Sequence, residues 1–425
     1  MPIAAFRLNS IARGVAVAAS VTEALNTALS TSQDYWRGND MAYMGNDSSG
    51  RPVFCTGFIK VTTQYPTLIM FRLNLTDLTI TKGSEYTVDG SNTSYYVSVS
   101  SERDGAGFRT TSGFTDYGYV AWARQANTGS RAAAFSYSLD ALTLSLGTAI
   151  LVAGTTGVQC AGHYIGNNRV AVTNHGGNNG NFHVQNWATR TAGTTTLTKN
   201  GGADNSVLGG VGQGGGHNMR GMASDRWINV IQTGNNGHGW YATAMRTNGT
   251  AMVGVDYNYN SAFPADAVFN AEAKLAQLNN STRFISVCQG GFSNNTVGRI
   301  KAQAGTVTWN SGGTAPSIAM GSALELETNA NSRFGVCEGK ADGEAYFIFC
   351  DNNDGLRLKY KKLTVSTNTI TASSYTTLST IGTTQGYYII DATRMVQVGS
   401  DYYMILGMRN STTGTVDVAV VKNPA

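Results

Sequence analysis

Arg followed by alternating apolar residues recurs along this chain, as Arg169-Val170-Ala171-Val172, Arg226-Trp227-Ile228-Asn229-Val230, Arg283-Phe284-Ile285-Ser286-Val287, Arg333-Phe334-Gly335-Val336 and Arg394-Met395-Val396-Gln397-Val398. The intervals are 57, 57, 50 and 61 residues. Alternation sends successive side chains to opposite faces of a sheet, so each copy reads as a strand. Gly and Asn turns follow, such as His175-Gly176-Gly177-Asn178-Asn179-Gly180 and Gly234-Asn235-Asn236-Gly237, residue types that tolerate the positive φ of tight hairpins. Next comes a strand opening on a large residue (Phe182 to Trp187, Trp240 to Met245, Ala345 to Phe349), then a Thr-rich one (Thr194 to Thr198, Gly305 to Trp309). A short apolar run precedes each Arg strand, as in His163 to Gly166, Ala323 to Leu326 and Tyr387 to Ile390. The unit has four strands.

Two divergent copies lie earlier, since Met70 to Thr79 matches Ala134 to Thr143 at an offset of 64, with Arg51-Pro52-Val53-Phe54 and Gly118-Tyr119-Val120-Ala121 as their Arg-type strands. A lone four-stranded sheet leaves two faces and two edges open. Radial stacking covers both faces, and a period near 57 fits neither a sandwich unit nor a solenoid coil. The expectation is an all-β, seven-bladed β-propeller of four-stranded antiparallel blades over residues 41–425. Residues 1–40 form a short N-terminal arm, with a short helix over Val21 to Ser30, where Ala24, Leu25 and Leu29 share one side. Because every blade already owns four strands, the repeat leaves the route of ring closure open.

Composition agrees: charged residues are only 13%, Gly numbers 51, and 41% hydrophobic with 10% aromatic residues is enough to build a core. The net charge of +4 is scattered, with no basic run to track phosphates, so nucleic acid is not an expected partner. Cys55, Cys160, Cys288, Cys337 and Cys350 form no CxxC pair and are expected as free thiols; Cys288 and Cys337, each after a Val of an Arg strand, read as core fillers. No apolar run is long enough for a membrane-spanning helix. Arg7 and Arg13 before Val15 to Ala19 imitate a secretory signal, but the apolar stretch is short, and cleavage is not expected.

Candidate chemistry is sparse. The repeated Arg residues could ring a central channel as an anion site, but a group present in every blade is better explained as serving the repeat, its guanidinium satisfying carbonyls of the neighbouring turn. His163, His175, His183, His217 and His238 cluster in two adjacent repeats without metal-ligand spacing, so no metal is expected. Ser101-Glu102-Arg103-Asp104-Gly105-Ala106-Gly107-Phe108 resembles the sialidase Asp-box only loosely, with Asp one place late and Phe for Trp, and it reads as a coincidence. Asp351-Asn352-Asn353-Asp354-Gly355 lacks the acidic twelfth residue of a calcium loop, Lys362 standing there, and reads as a hairpin turn. Gly209 to Gly216 is too glycine-heavy for a dinucleotide fingerprint. No nucleophile elbow or phosphate loop is present, so no catalytic residue, cofactor or binding residue is named. The uncharged loops, in a chain with 20 Tyr, suit hydrogen bonding and stacking on sugars or protein surfaces.

The opening Met1-Pro2-Ile3-Ala4-Ala5-Phe6-Arg7-Leu8-Asn9-Ser10-Ile11 resembles the start of virion structural proteins of tailed bacteriophages, and the neutral β-repeat is similar in style to their tail-fibre, tail-tip and decoration proteins. The resemblance implies a non-enzymatic virion component in a multi-copy assembly, docked to other virion proteins through residues 1–40, its propeller facing a host surface glycan or receptor. Two alternatives remain: a secreted or cell-surface glycan-binding lectin, and a glycan-degrading enzyme using two carboxylates from different blades.

Overall fold

The computed structural model describes residues 22–30, 40–104, 116–124, 129–153, 159–175, 182–200, 205–209, 217–233, 239–258, 273–278, 282–290, 298–311, 314–351, 354–355, 357–378, 388–410 and 412–425. They form seven four-stranded antiparallel blades around one axis, without a helix. β1 (Glu23–Ser30) stands apart in sequence. Blade 1 is β2 (Asp40–Asn46), β3 (Pro52–Ile59), β4 (Pro66–Leu73) and β5 (Ile80–Thr87). Blade 2 is β6 (Ser94–Ser101), β7 (Tyr117–Arg124) and β8 (Ser130–Ser138), with β9 (Thr143–Leu146) and β10 (Ile150–Ala153) sharing the outer edge. Blade 3 is β11 (Gln159–Tyr164), β12 (Arg169–His175) and β13 (Phe182–Arg190), edged by β14 (Leu197–Lys199) and β15 (Asn205–Gly209). Blade 4 is β16 (His217–Ala223), β17 (Arg226–Thr233), β18 (Gly239–Thr247) and β19 (Met252–Asn258).

Blade 5 is β20 (Ala273–Gln277), β21 (Arg283–Gly290) and β22 (Gly298–Thr308), edged by β23 (Ser317–Met320) and by the first residues of β24 (Leu324–Glu338). The rest of β24 turns inward as the first strand of blade 6, followed by β25 (Glu344–Asp351), β26 (Arg357–Ser366), β27 (Thr369–Ala372) and β28 (Thr376–Thr377). Blade 7 is β29 (Tyr388–Val398), β30 (Asp401–Asn410) and β31 (Val416–Lys422). It owns only three strands.

Its fourth is β1, which pairs antiparallel with β31 from Glu23 opposite Val421 to Ser30 opposite Val416. The expected short helix over Val21 to Ser30 is therefore corrected to a strand. Ala, Leu and Glu favour a helix locally, but pairing with an open sheet edge satisfies a whole row of backbone groups, and tertiary context overrides propensity. A bulge with Ala28 at φ 56 re-aims the strand, and Asp417 Oδ1 accepts from Ala28 N at 2.9 Å. Asn26 then bridges to blade 1, donating to Leu78 O at 3.0 Å and accepting from Ile80 N at 3.1 Å. The propeller thus begins at β1, not at residue 41, and this strand closes the ring.

The repeat phase also needs correction. Arg169, Arg226 and Arg283 open the second strands of blades 3 to 5, whereas Arg333 and Arg394 sit inside the innermost strands of blades 6 and 7. An Arg ahead of alternating apolar residues marks a strand without saying which of four it is. Cys288 on β21 and Cys337 on β24 are likewise not equivalent, though all five cysteines are free and buried.

Apolar residues between neighbouring blades gather into seven clusters, one per seam. At about 1.5 to 3 kcal/mol for each large aliphatic or aromatic side chain fully buried, these seams are the main source of stability. No helix in the described residues is long and apolar enough to cross a membrane.

Candidate functional site

Innermost strands sit side by side around the axis, so a polar residue on any of them is brought near residues far away in sequence. Asp40 opens β2, His163 is the penultimate residue of β11, Arg220 lies mid-way along β16, and Arg394 lies within β29. Asp104 arrives differently, on the segment after β6, where its N–H donates to Ser101 O at 3.2 Å. All five are buried.

Arg394 holds the group together. Its Nε donates to Asp104 Oδ1 at 3.1 Å and its Nη2 to Asp104 Oδ2 at 3.2 Å, a two-pronged pairing that fixes both planes. The same Nη2 reaches Asp40 Oδ1 at 3.2 Å, and Nη1 donates to Thr393 O at 2.8 Å. Burial alone would raise the Asp104 pKa, but the charge of Arg394, with His163 and Arg220 nearby, holds the carboxyl well below the usual range. For Arg394, burial works against the charge, yet the two carboxylates keep its pKa above the ordinary value. Both acids are committed to this one cation.

His163 and Arg220 flank the pairing. His163 Nδ1 lies 3.1 Å from Gly221 N and 2.9 Å from Tyr164 O, while Nε2 faces Asp104 Oδ2 at 3.5 Å, too far for a good hydrogen bond. Gly221 permits this approach, because a Cβ there would collide with Tyr164 O. Arg220 donates from Nη1 to Met219 O at 3.0 Å and makes no ion pair among the described residues. Burial first, and then repulsion from Arg394, pushes its pKa down to about 10, so it stays charged at neutral pH.

Each charged residue of the Asp-box-like stretch is used. Asp104 meets Arg394; Arg103 Nη2 meets Asp116 Oδ1 at 3.0 Å; Glu102 Oε1 accepts from Arg190 Nη2 at 2.8 Å and from Tyr119 Oη at 3.0 Å. These carboxylates anchor blade 2 to blades 7 and 3, and residues 105–115 lie outside the described residues.

Other sequence candidates separate. Arg169 pairs with Asp225 in the next blade's turn, Arg283 Nη2 with Asp342 Oδ2 at 2.8 Å, and Arg226 lies 5.7 Å from the centroid of the Trp309 ring. These three tie blade to blade, through side chains of the next blade more than through carbonyls. Arg394 alone of the repeated set with a described side chain joins the axis. In the hairpin read against a calcium loop, Lys359 Nζ sits 2.8 Å from both Asp351 and Asp354. Of the histidines only His163 has a described side chain, and no group of three His, Cys, Asp or Glu is gathered as metal ligands among the described residues. The Gly-rich segment 210–216 and the Gly/Asn loops 176–181 and 234–238 lie outside the described residues.

Sequence reading missed Asp40 and Arg220 altogether. One signal was available: His163, Arg220 and Gln277 stand 57 residues apart, one per innermost strand, which is the repeat period itself.

Neither a protein-family profile nor a curated protein matches the chain. Solved structures do match in shape. The core factor of S. cerevisiae aligns with TM-score 0.51 at 7% identity over 95% of this chain and 61% of its own. A polysaccharide lyase aligns with TM-score 0.49 at 9% identity over 94% and 99%, and an alpha-L-arabinanase of Penicillium chrysogenum, complexed with arabinobiose, with TM-score 0.43 at 9% over 95% and 98%. At such identities the likeness concerns the fold.

The expectation that this chain is not an enzyme does not stand. It rested on the absence of a catalytic motif in linear sequence, but the ring assembles two carboxylates, a histidine and two guanidinium groups from five blades.

Proposed function

We propose that this protein acts on carbohydrate, engaging a glycan at the axial cluster of Asp40, Asp104, His163, Arg220 and Arg394. The observation that carries the reading is the pairing of Asp40 and Asp104 on one guanidinium nitrogen, 3.2 Å from each. That bridge leaves the carboxyl groups no farther apart than the paired carboxylates of glycoside hydrolysis, which stand about 5 to 9.5 Å apart. Asp104 is kept ionised by Arg394, His163 and Arg220, so the cluster sets carboxylate acceptors beside guanidinium donors, the polar groups that fix a sugar's hydroxyls, with His163 Nε2 facing Asp104 Oδ2 at 3.5 Å. The lectin and enzyme alternatives share this site, and the propellers of similar shape that handle glycans favour both over a purely structural role.

Incubation with a panel of purified plant, algal and bacterial-surface polysaccharides tests the reading. Retention or shortening of one class is expected. A protein that neither binds nor shortens any of them leaves the cluster as an internal brace and overturns the proposal. A virion location is a separate proposal, resting on the resemblance of residues 1–11. Docking to other virion proteins through residues 1–40 is now narrowed to the residues ahead of β1, because β1 is already built into blade 7.

A further inference from the structure

Arg220 is an unusual residue to bury. Its side chain is more than nine-tenths buried, yet among the described residues it makes one hydrogen bond, to the carbonyl of its own neighbour Met219, and no ion pair. A guanidinium offers five donors in a planar fork, and only one of them is used here among the described residues. The nearby carboxylates Asp40 and Asp104 are both bound to Arg394. Within the axial cluster, therefore, Arg220 is a cation drawn to Asp40 and Asp104 but hydrogen-bonded to neither among the described residues.

The surroundings give it a direction. Asp104 follows β6, at the rim where that innermost strand ends. Two residues before Arg220, on the same face of β16 and nearer the opposite rim, stands Asn218, whose buried Oδ1 has no hydrogen-bond partner. A guanidinium with one hydrogen bond and an amide oxygen with none, among the described residues, thus follow one another along the strand.

We infer that Arg220 is a receptor for an anionic oxygen group, a carboxylate or sulfate carried by a glycan, with Asn218 taking a neighbouring sugar hydroxyl, so that the ligand of this propeller is an acidic polysaccharide. The inference rests on the carbohydrate reading above and narrows it to a substrate class. A planar carboxylate or a sulfate face matches the guanidinium fork, whereas a neutral hydroxyl would use one donor and leave the charge uncompensated.

The test is titration calorimetry of the full chain with four tetrasaccharide probes: a uronic-acid oligomer, the same oligomer with its carboxyl groups reduced to alcohols, a sulfated galactan oligomer, and its desulfated form. The wild type is expected to prefer one acidic probe over its neutral counterpart. R220Q is expected to lose that probe by about ten-fold or more, the scale of a charged hydrogen-bonding pair, with R220K intermediate. Which acidic probe binds separates carboxylate from sulfate. A second measurement guards against a folding artefact: ligand-free R220Q should keep the wild-type far-UV circular dichroism spectrum and a cooperative melting transition. Equal binding of acidic and neutral probes, or unchanged binding by folded R220Q, would each overturn the inference while leaving carbohydrate binding in place. Failure of all four probes, together with the whole polysaccharide panel, would sink the carbohydrate reading itself.

Discussion

Two seams of the ring do the same job with opposite chemistry. Between blades 7 and 1 the packing is almost wholly apolar: Phe54, Phe58, Ile69, Phe71 and Leu73 meet Val396, Tyr403, Ile405, Val418 and Val420, with Leu29 of β1 across the edge. Phe54 and Phe71 stack at 5.4 Å. Between blades 3 and 4 the cluster is smaller, built from alanines, Ile165, two methionines and Trp187 with Trp227, and it shares its interior with the buried polar residues Thr173, Gln185 and Asn229. Trp227 Nε1 donates to Gln185 Oε1 at 2.7 Å. Chain continuity explains the contrast. Blades 3 and 4 are joined covalently, so their relative position is held even where packing is modest. Blades 7 and 1 are the two ends of the repeat, held together by this burial, by β1 built into blade 7 and by the Arg394–Asp40 pair at the axis.

The sharpest way to break the comparison is to remove β1. Deleting residues 1–30 uncovers the edge of β31, frees Asp417 from its bond to Ala28 N, and takes Leu29 and the Asn26 bridge away from blade 1. Lost ladder bonds at about 0.5 to 1.5 kcal/mol each, together with the lost apolar burial, make this the largest effect, expected to exceed about 5 kcal/mol. Calorimetry should show a lowered, broadened transition, and a synthetic peptide of residues 22–30 should restore much of it by adding back a strand. Unchanged melting after truncation would mean the ring closes without β1.

Phe71→Ala comes next. Its ring is wholly buried in the closing seam, and emptying such a site costs about 3 to 5 kcal/mol. Chemical denaturation should show the midpoint falling accordingly. A loss below about 1 kcal/mol would show that the closing seam is not the apolar clasp its packing suggests.

How much of this was legible follows from the range of each cause. Strand periodicity and Gly/Asn turns are local, so the blades and their number could be read directly. The phase failed in blades 6 and 7, because β24 and β29 are long and carry Arg333 and Arg394 inside innermost strands. Nothing local distinguishes those positions from Arg169 at the head of a second strand. β1 was misread because propensity is local while its partner lies almost 400 residues away. The axial cluster is the extreme case: Asp40 and Arg394 touch across 354 residues, and only the ring makes them neighbours. Still, the 57-residue spacing of His163, Arg220 and Gln277 was in the sequence, and aligning innermost strands on that period would have exposed part of the site.

Trp227→Phe sharpens the other side of the comparison. It keeps most of the apolar volume between blades 3 and 4 but strips the indole N–H from buried Gln185, leaving an amide oxygen with no donor at 2.7 Å. An orphaned buried acceptor costs about 1 to 3 kcal/mol, less than Phe71→Ala. Replacing Gln185 by Leu in the same background should recover part of the loss, because an apolar pair needs no hydrogen bond. Failure of that rescue would place the cost in packing and not in polarity, and the contrast between the seams would shrink to one of size.

The smallest effect belongs to the rim of that seam. Arg169 of blade 3 pairs with Asp225 in the turn of blade 4, both side chains 19% exposed, and Asn167 Nδ2 donates to the same carboxylate at 2.7 Å. Partly exposed ion pairs are worth about 0.2 to 1 kcal/mol, so Asp225→Asn, which retains an acceptor for Asn167, should lower the melting temperature by only about 1 to 2 °C. Screening gives the finer reading. Raising the salt concentration toward 1 M shortens the Debye length to about 3 Å, so the gap between wild type and variant should narrow. Were the gap to hold constant in salt, hydrogen-bond geometry in the turn, and not charge, would be what fastens blade 3 to blade 4 at its rim.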